Sequence, residues 1–170
     1  MVGSNGAGSD EIRALATQVL AACEAHSLMV ATAESCTGGM VAAALTDIPG
    51  SSAVVERGFV TYSNAAKAGM LGVPMALIDT HGAVSEPVAR AMAEGALANS
   101  RANLAVSITG VAGPGGGSAD KPEGLVHFAC TRRGATTSHT RIEFGPLGRD
   151  RVRAASVGQA LTMLLNAAEA

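Results

Sequence analysis

The sequence predicts an α/β protein: a three-layer α/β/α sandwich around a mixed β-sheet. Three observations point there. In the first two thirds of the chain, short apolar runs alternate with segments of helical periodicity, the pattern of parallel βαβ units. Later, Leu125 to Thr131 and Thr137 to Phe144 flank Gly134 and read as a hairpin, which adds antiparallel strands to the sheet. Finally, 34 of the 170 residues are alanine, and small side chains suit helices laid closely on a sheet.

The elements follow in order. Residues 1–8 are rich in Gly and Ser and are expected to form a disordered tail, leaving 9–170 as a single domain, in keeping with about 100–200 residues per domain. Ser9, Asp10 and Glu11 suit the free N–H groups of a helix start. Ile12, Leu15, Ala16, Val19, Leu20 and Cys23 then recur at helical spacing to about His26. Leu28 to Ala33 is a β-prone run ending in Glu34-Ser35-Cys36-Thr37-Gly38-Gly39. A helix is expected over 40–45, a strand over 54–62, and a short helix over 64–71 closed by Gly72 and Pro74. Ser85 is placed to cap a helix running to about Ser100, with Pro87 in its tolerant first turn. Leu104 to Ile108 is a fully apolar strand, and the glycine-rich loop 109–121 follows it. Val157, Ala160, Leu161, Leu164, Leu165 and Ala168 share one face of a last helix.

Composition removes several function classes. The net charge is −2, with 12 basic against 14 acidic residues, so a duplex-gripping basic surface is not expected. One Tyr and no Trp leave little with which to stack single-stranded nucleic acid. No apolar stretch approaches the roughly 20 residues of a membrane span. MVGSNGAGSD lacks the basic and apolar regions of a secretory signal. Three dispersed cysteines and four isolated histidines show neither disulfide nor metal-site spacing. The expectation is a cytoplasmic protein with reduced thiols, no metal, no cofactor, and no nucleic-acid or membrane partner.

Three places could carry chemistry. Ser35 lies between an apolar strand and a helix opened by Thr37, Gly38 and Gly39, where backbone N–H groups could receive an oxyanion or a phosphate. On spacing alone, Ser35 or Thr37 reads first as a helix cap, and Cys36 is a rival nucleophile. Lys67 is one of only two lysines against ten arginines, a choice that suits a residue required to lose a proton. It follows Tyr62, the only tyrosine, by five positions. Solvated surface charge is the alternative. The loop TGVAGPGGGS, with Thr109, Gly110 and Gly113, frees backbone N–H groups at the end of a strand, where α/β sheets often bind ligands, but lacks the P-loop ending. Arg149 and Arg153, at the start of the last helix, could contact a phosphate.

Together the stretches TAESCTGG (32–39), PGSS (49–52), ERGFVTYSNAAK (56–67), HGAVSE (81–86), AVSITGVAGPGGGS (105–118) and KPEGLV (121–126) closely resemble the C-terminal domain of the competence/damage-inducible CinA proteins. The resemblance implies an α/β/α fold, a homodimer, and deamidation of nicotinamide mononucleotide to nicotinic acid mononucleotide, as in NAD recycling. It also implies a serine amidase in which Ser35 is the nucleophile and Tyr62 and Lys67 handle the proton. Cys36, Thr37, Gly38, Gly39, Thr109, Gly110, Gly113 and Arg149 are then the candidate substrate contacts, with the phosphate at the Gly38-Gly39 helix start or the 113–117 loop. The other reading is a non-catalytic nucleotide-binding or regulatory domain that keeps the pocket without turnover.

Overall fold

The computed structural model describes residues 8–170. Its helices are α1 (Ser9–Ala25), α2 (Met40–Thr46), α3 (Asn64–Leu71), α4 (Met75–His81), α5 (Glu86–Ala98) and α6 (Arg149–Glu169); its strands are β1 (Val30–Glu34), β2 (Val55–Val60), β3 (Leu104–Gly110), β4 (Leu125–Arg132) and β5 (Ser138–Glu143). The strands form one sheet in the order β2-β1-β3-β4-β5. β1 pairs in parallel with β2 and β3, while β3–β4 and β4–β5 are antiparallel. The mixed sheet and three layers are as expected.

Alternation of side chains across the strands builds two cores. Val30, Val106, Ile108, Val126 and Phe128 pack with Val19, Leu45, Leu161 and Leu164 beneath α1, α2 and α6. Ala31, Ala33 and Ala105 pack with Leu71, Ile78, Val88 and Met92 beneath α3, α4 and α5. Alanines carry the strand side of that second core, so the α5 layer lies close to the sheet.

Several expectations are corrected. The proposed tail, 1–8, lies outside the described residues except for Gly8, which precedes α1 and donates its N–H to Glu11 Oε2 at 3.2 Å. Ser9 is therefore the first helical residue rather than the cap. β1 begins at Val30 rather than Leu28 and continues through Glu34, because its ladder runs Val30↔Leu104 to Glu34↔Ile108. β3 extends to Gly110 because Thr109 and Gly110 still pair with His127 and Val126. Helix α4 and a 3-10 turn at Ser51–Ala53 were not expected. Gly72, at φ +70°, closes α3, and Pro74, at φ −61°, is the N-cap of α4. Ser85 precedes α5 but turns its hydroxyl back to the Gly82 carbonyl at 2.8 Å, so it is no side-chain cap.

The order of the strands creates the site. From β1 the chain crosses through α2 to β2 on one side, and β3 then returns on the other side of β1. The segments leaving the carboxyl ends of β1 and β3 diverge, and such a switch point leaves a crevice between them.

Candidate active site

A cavity of ≈ 210 Å³ occupies that crevice, lined by Ser35 and Cys36 after β1, Tyr62 after β2, Asn64 and Lys67 on α3, and Thr109, Gly110 and Ala112 at the end of β3, with Ala83, Val84 and Arg149 closing it. Ser35 is pinned through its backbone, its N–H donating to the Ile108 carbonyl at 2.9 Å. α3 is capped by Ser63, whose Oγ accepts from the Ala66 N–H at 3.0 Å. That helix brings Lys67 across the cavity until its Nζ lies 3.1 Å from Ser35 Oγ.

Lys67 is only 1% exposed. Its other neighbours are two carbonyl oxygens, Thr61 at 3.0 Å and Tyr62 at 3.3 Å. Burial holds its ammonium below the ordinary lysine pKa. A neutral amine here could donate to the two carbonyls and turn its lone pair to the Ser35 hydroxyl, whereas an ammonium would donate to all three. The arrangement can therefore pass a proton between Ser35 and Lys67 with no intermediary. Lys67 is not a solvated surface charge.

Cys36 is the weaker nucleophile. Burial pushes its thiol up to about 11, so it stays protonated at neutral pH. Tyr62 is 61% exposed. Its phenol accepts from Arg149 Nη2 at 3.0 Å, and it is its carbonyl, not its hydroxyl, that meets Lys67. A relay of the serine proton through the phenol is therefore not the arrangement seen. Arg149 also donates to the Gly113 carbonyl at 3.0 Å, which explains why the loop following β3 lies against the start of α6.

The glycine helix start behaves differently from the expectation. Gly39 precedes α2 in the left-handed region, φ +106°, which favours glycine. The N–H groups of the first turn are not free for a phosphate. Val41 and Ala42 donate to the Glu34 carboxylate at 2.8 and 3.1 Å, and the Thr37 hydroxyl donates to it at 2.7 Å. Neither Ser35 nor Thr37 caps this helix. Thr37, Gly38, Gly39 and Gly113 are absent from the cavity lining, whereas Cys36, Thr109, Gly110 and Arg149 belong to it. Thr109 Oγ1 donates to the Ala83 carbonyl at 2.8 Å and so ties down the segment that forms the far wall. A Cβ on Gly110 would fall 2.7 Å from Val126 Cγ2 and 2.8 Å from the Leu125 carbonyl, so only glycine fits.

Two larger clefts, of ≈ 290 and ≈ 430 Å³, lie elsewhere. Neither brings a nucleophile to a base, and the one thiol in the larger, Cys130, is pushed up to about 12 by burial. Among the described residues, no three His, Cys, Asp or Glu side chains are grouped so as to hold a metal ion, and no helix is long and apolar enough to cross a membrane.

The family model for the CinA C-terminal domain matches residues 12–168. The chain belongs to that family. It is similar to the nicotinamide-nucleotide amidohydrolase PncC of Escherichia coli (strain K12), 54% identical over 155 residues that cover 91% of this chain and 93% of that protein. It is also 48% identical to a CinA-like protein of Anaeromyxobacter sp. (strain Fw109-5), over 94% of this chain but 38% of that protein, so the chain spans well under half the length of such CinA-like relatives. Among solved structures, the competence/damage inducible protein CihA from Agrobacterium tumefaciens superposes with a TM-score of 0.90 at 53% identity, covering 96% of this chain and 99% of that one. A CinA superfamily protein from Escherichia coli superposes at 0.88 with 34% identity, covering 98% and 94%.

Within this CinA fold, Asn64, Ala83, Val84 and Ala112 line the cavity without having been singled out in the sequence. Only Asn64 carried a signal, as a polar residue in the first turn of the helix bearing Lys67. Arg153, expected as a phosphate contact, instead donates from Nε and Nη2 to the Cys36 and Thr37 carbonyls at 3.1 and 3.3 Å.

Proposed function

We propose that this protein is a nicotinamide-nucleotide amidase that converts nicotinamide mononucleotide and water to nicotinic acid mononucleotide and ammonia through an acyl-enzyme on Ser35. The observation that carries the reading is the 3.1 Å contact between Ser35 Oγ and the buried Lys67 Nζ. The likeness to the Escherichia coli amidohydrolase supports the choice of substrate.

In the proposed reaction, Ser35 Oγ bonds to the carboxamide carbon while its proton passes to neutral Lys67. The backbone N–H groups of the turn that follows Ser35, those of Cys36 and Thr37, take the oxyanion. The C–N bond breaks, and ammonia leaves with the proton from Lys67. Water then attacks the ester, Lys67 takes its proton, and the Ser35 oxygen recovers that proton as the acid departs. With the first turn of α2 occupied by Glu34, the substrate phosphate is directed to Arg149 across the cavity rather than to Gly38-Gly39. The same reading gives a cytoplasmic homodimer serving NAD recycling without nucleic-acid or membrane partners.

The test is ammonia release from nicotinamide mononucleotide by the wild type, Ser35→Ala and Cys36→Ala. Ser35→Ala should lose turnover by about 10³-fold or more while still binding substrate, and Cys36→Ala should retain it. A dead Cys36→Ala beside a working Ser35→Ala would move the nucleophile. A wild type that binds the nucleotide but releases no ammonia would favour the non-catalytic binding domain.

A further inference from the structure

The turn that carries Ser35 is gripped by two residues that do not line the cavity. Glu34, the last residue of β1, is fully buried. It points away from the Ser35–Lys67 contact and accepts from the Thr37 hydroxyl and the Val41 and Ala42 N–H groups. From α6, Arg153 donates to the Cys36 and Thr37 carbonyls. Glu34 thus collects donors of the 34–42 segment, and Arg153 collects its acceptors.

Peptide planarity turns these contacts into aim. In a trans peptide the C=O and the following N–H point in opposite directions. Arg153 holds the Cys36 carbonyl, and so sets the direction of the Thr37 N–H in the same plane. The Gly38 N–H donates to the Ser35 carbonyl at 3.0 Å, which likewise sets the Cys36 N–H. Glu34 then holds residue 37 by its side chain and ties the turn to α2. The Cys36 and Thr37 N–H groups thus lie in planes that are fixed from the carbonyl side.

We propose that Glu34 and Arg153 are positioning residues for this reaction, orienting the Cys36 and Thr37 N–H groups toward the oxyanion that forms on the carbon bonded to Ser35. The inference rests on the amidase reading. Neither residue lines the cavity. Misaligned donors would still admit the ground-state carboxamide, so their loss should fall on kcat and leave KM nearly unchanged.

The experiment is steady-state ammonia release from nicotinamide mononucleotide across pH for the full chain and for Glu34→Gln, Thr37→Val, Arg153→Lys and Ser35→Ala. Gln at 34 presents an N–H₂ toward backbone donors, and Lys at 153 keeps the charge but loses the planar fork that reaches two carbonyls. A small misplacement of reacting groups can cost about 10²-fold, so Glu34→Gln and Arg153→Lys should lower kcat by about tenfold to hundredfold, with KM within about twofold. Thr37→Val, which removes one hydroxyl, should lower kcat less. The pH midpoint of kcat should match the wild type in all three, because the base is untouched. If Glu34→Gln fails to fold, Thr37→Val and Arg153→Lys carry the test alone. An inactive wild type, or a fully active Ser35→Ala, overturns the amidase reading. An active wild type with a dead Ser35→Ala, but with Thr37→Val and Arg153→Lys at wild-type kcat or altered only in KM, overturns the positioning inference alone. A displaced pH midpoint in Arg153→Lys also overturns it, since that would mean an electrostatic action on Lys67.

Discussion

Two pairs, each built on a buried nitrogen base, sit on opposite halves of the sheet. At the carboxyl ends of the parallel strands, Lys67 Nζ meets Ser35 Oγ. On the antiparallel half, His127 on β4 and His139 on β5 place ring nitrogens 2.9 Å apart, with Glu86 Oε1 3.5 Å from the other nitrogen of His139. Burial lowers the pKa in both places, to about 4 for His127. Only the first pair opens on the cavity between diverging segments. A desolvated base is thus not in itself a site: it needs a hydroxyl to deprotonate and room for a substrate carbon beside that hydroxyl. The histidine pair has neither, and its neutral rings serve packing, stacked at a centroid distance of 5.1 Å.

The largest expected effect would break this comparison from the lysine side. Lys67→Arg keeps the cation but cannot lose the proton, and kcat/KM for nicotinamide mononucleotide should fall by about 10³-fold or more. In the wild type the neutral amine is the working form. The rate should therefore rise with pH through a midpoint below the ordinary lysine value of about 10.4. A pH–rate profile of kcat/KM measures this directly. An active Lys67→Arg enzyme would return the base to Tyr62 or to a histidine, and the contrast would fail.

The histidine pair should show itself in stability instead. With a folded pKa near 4 against 6.5 for an ordinary histidine, His127 binds fewer protons folded than unfolded between those values. Its contribution is present above pH 6.5 and is lost as pH falls toward 4. The shift corresponds to at most about 3 kcal/mol. Arg90 on α5, Arg141 on β5 and Lys121 face the same pair and also oppose its protonation, while Glu86 favours it. Urea unfolding at pH 7.5 and pH 5 should show lower stability at the lower pH, and His127→Gln should flatten that difference.

Much of this contrast was legible in the sequence, and the missing parts have a physical cause. A rare lysine, one of two against ten arginines, and a serine at a strand-to-helix junction both point to the site. The sequence does not say that α3 carries Lys67 back over 32 positions to Ser35, nor that Lys67 meets the Tyr62 carbonyl rather than its phenol. Glu34 is hidden in the sequence because a carboxylate next to a turn usually faces solvent. Its partners lie three to eight residues on, in a helix that periodicity detects but whose approach angle it does not. The role of Arg153 is not visible locally, because more than 110 positions separate it from the carbonyls it holds. Strand ends shifted at Glu34 and Gly110 because ladder pairing, not local propensity, decides where β1 and β3 stop.

The smallest expected effect sharpens the comparison at Tyr62. Its phenol is exposed and meets only the guanidinium of Arg149, itself at the cavity rim. If Lys67 takes the serine proton directly, Tyr62→Phe leaves the nucleophile and base in place and removes one contact that steadies Arg149. A single exposed hydrogen bond to a charged group is worth about 1 kcal/mol or less once solvent competes for it. The loss should therefore be about twofold to fivefold in kcat/KM, carried by KM as Arg149 loses its fixed position for the phosphate. The pH midpoint of kcat should stay at the wild-type value. A fall in kcat as deep as that of Lys67→Arg would show that the phenol moves into the proton path when substrate binds, and the direct Ser35–Lys67 transfer would have to be given up.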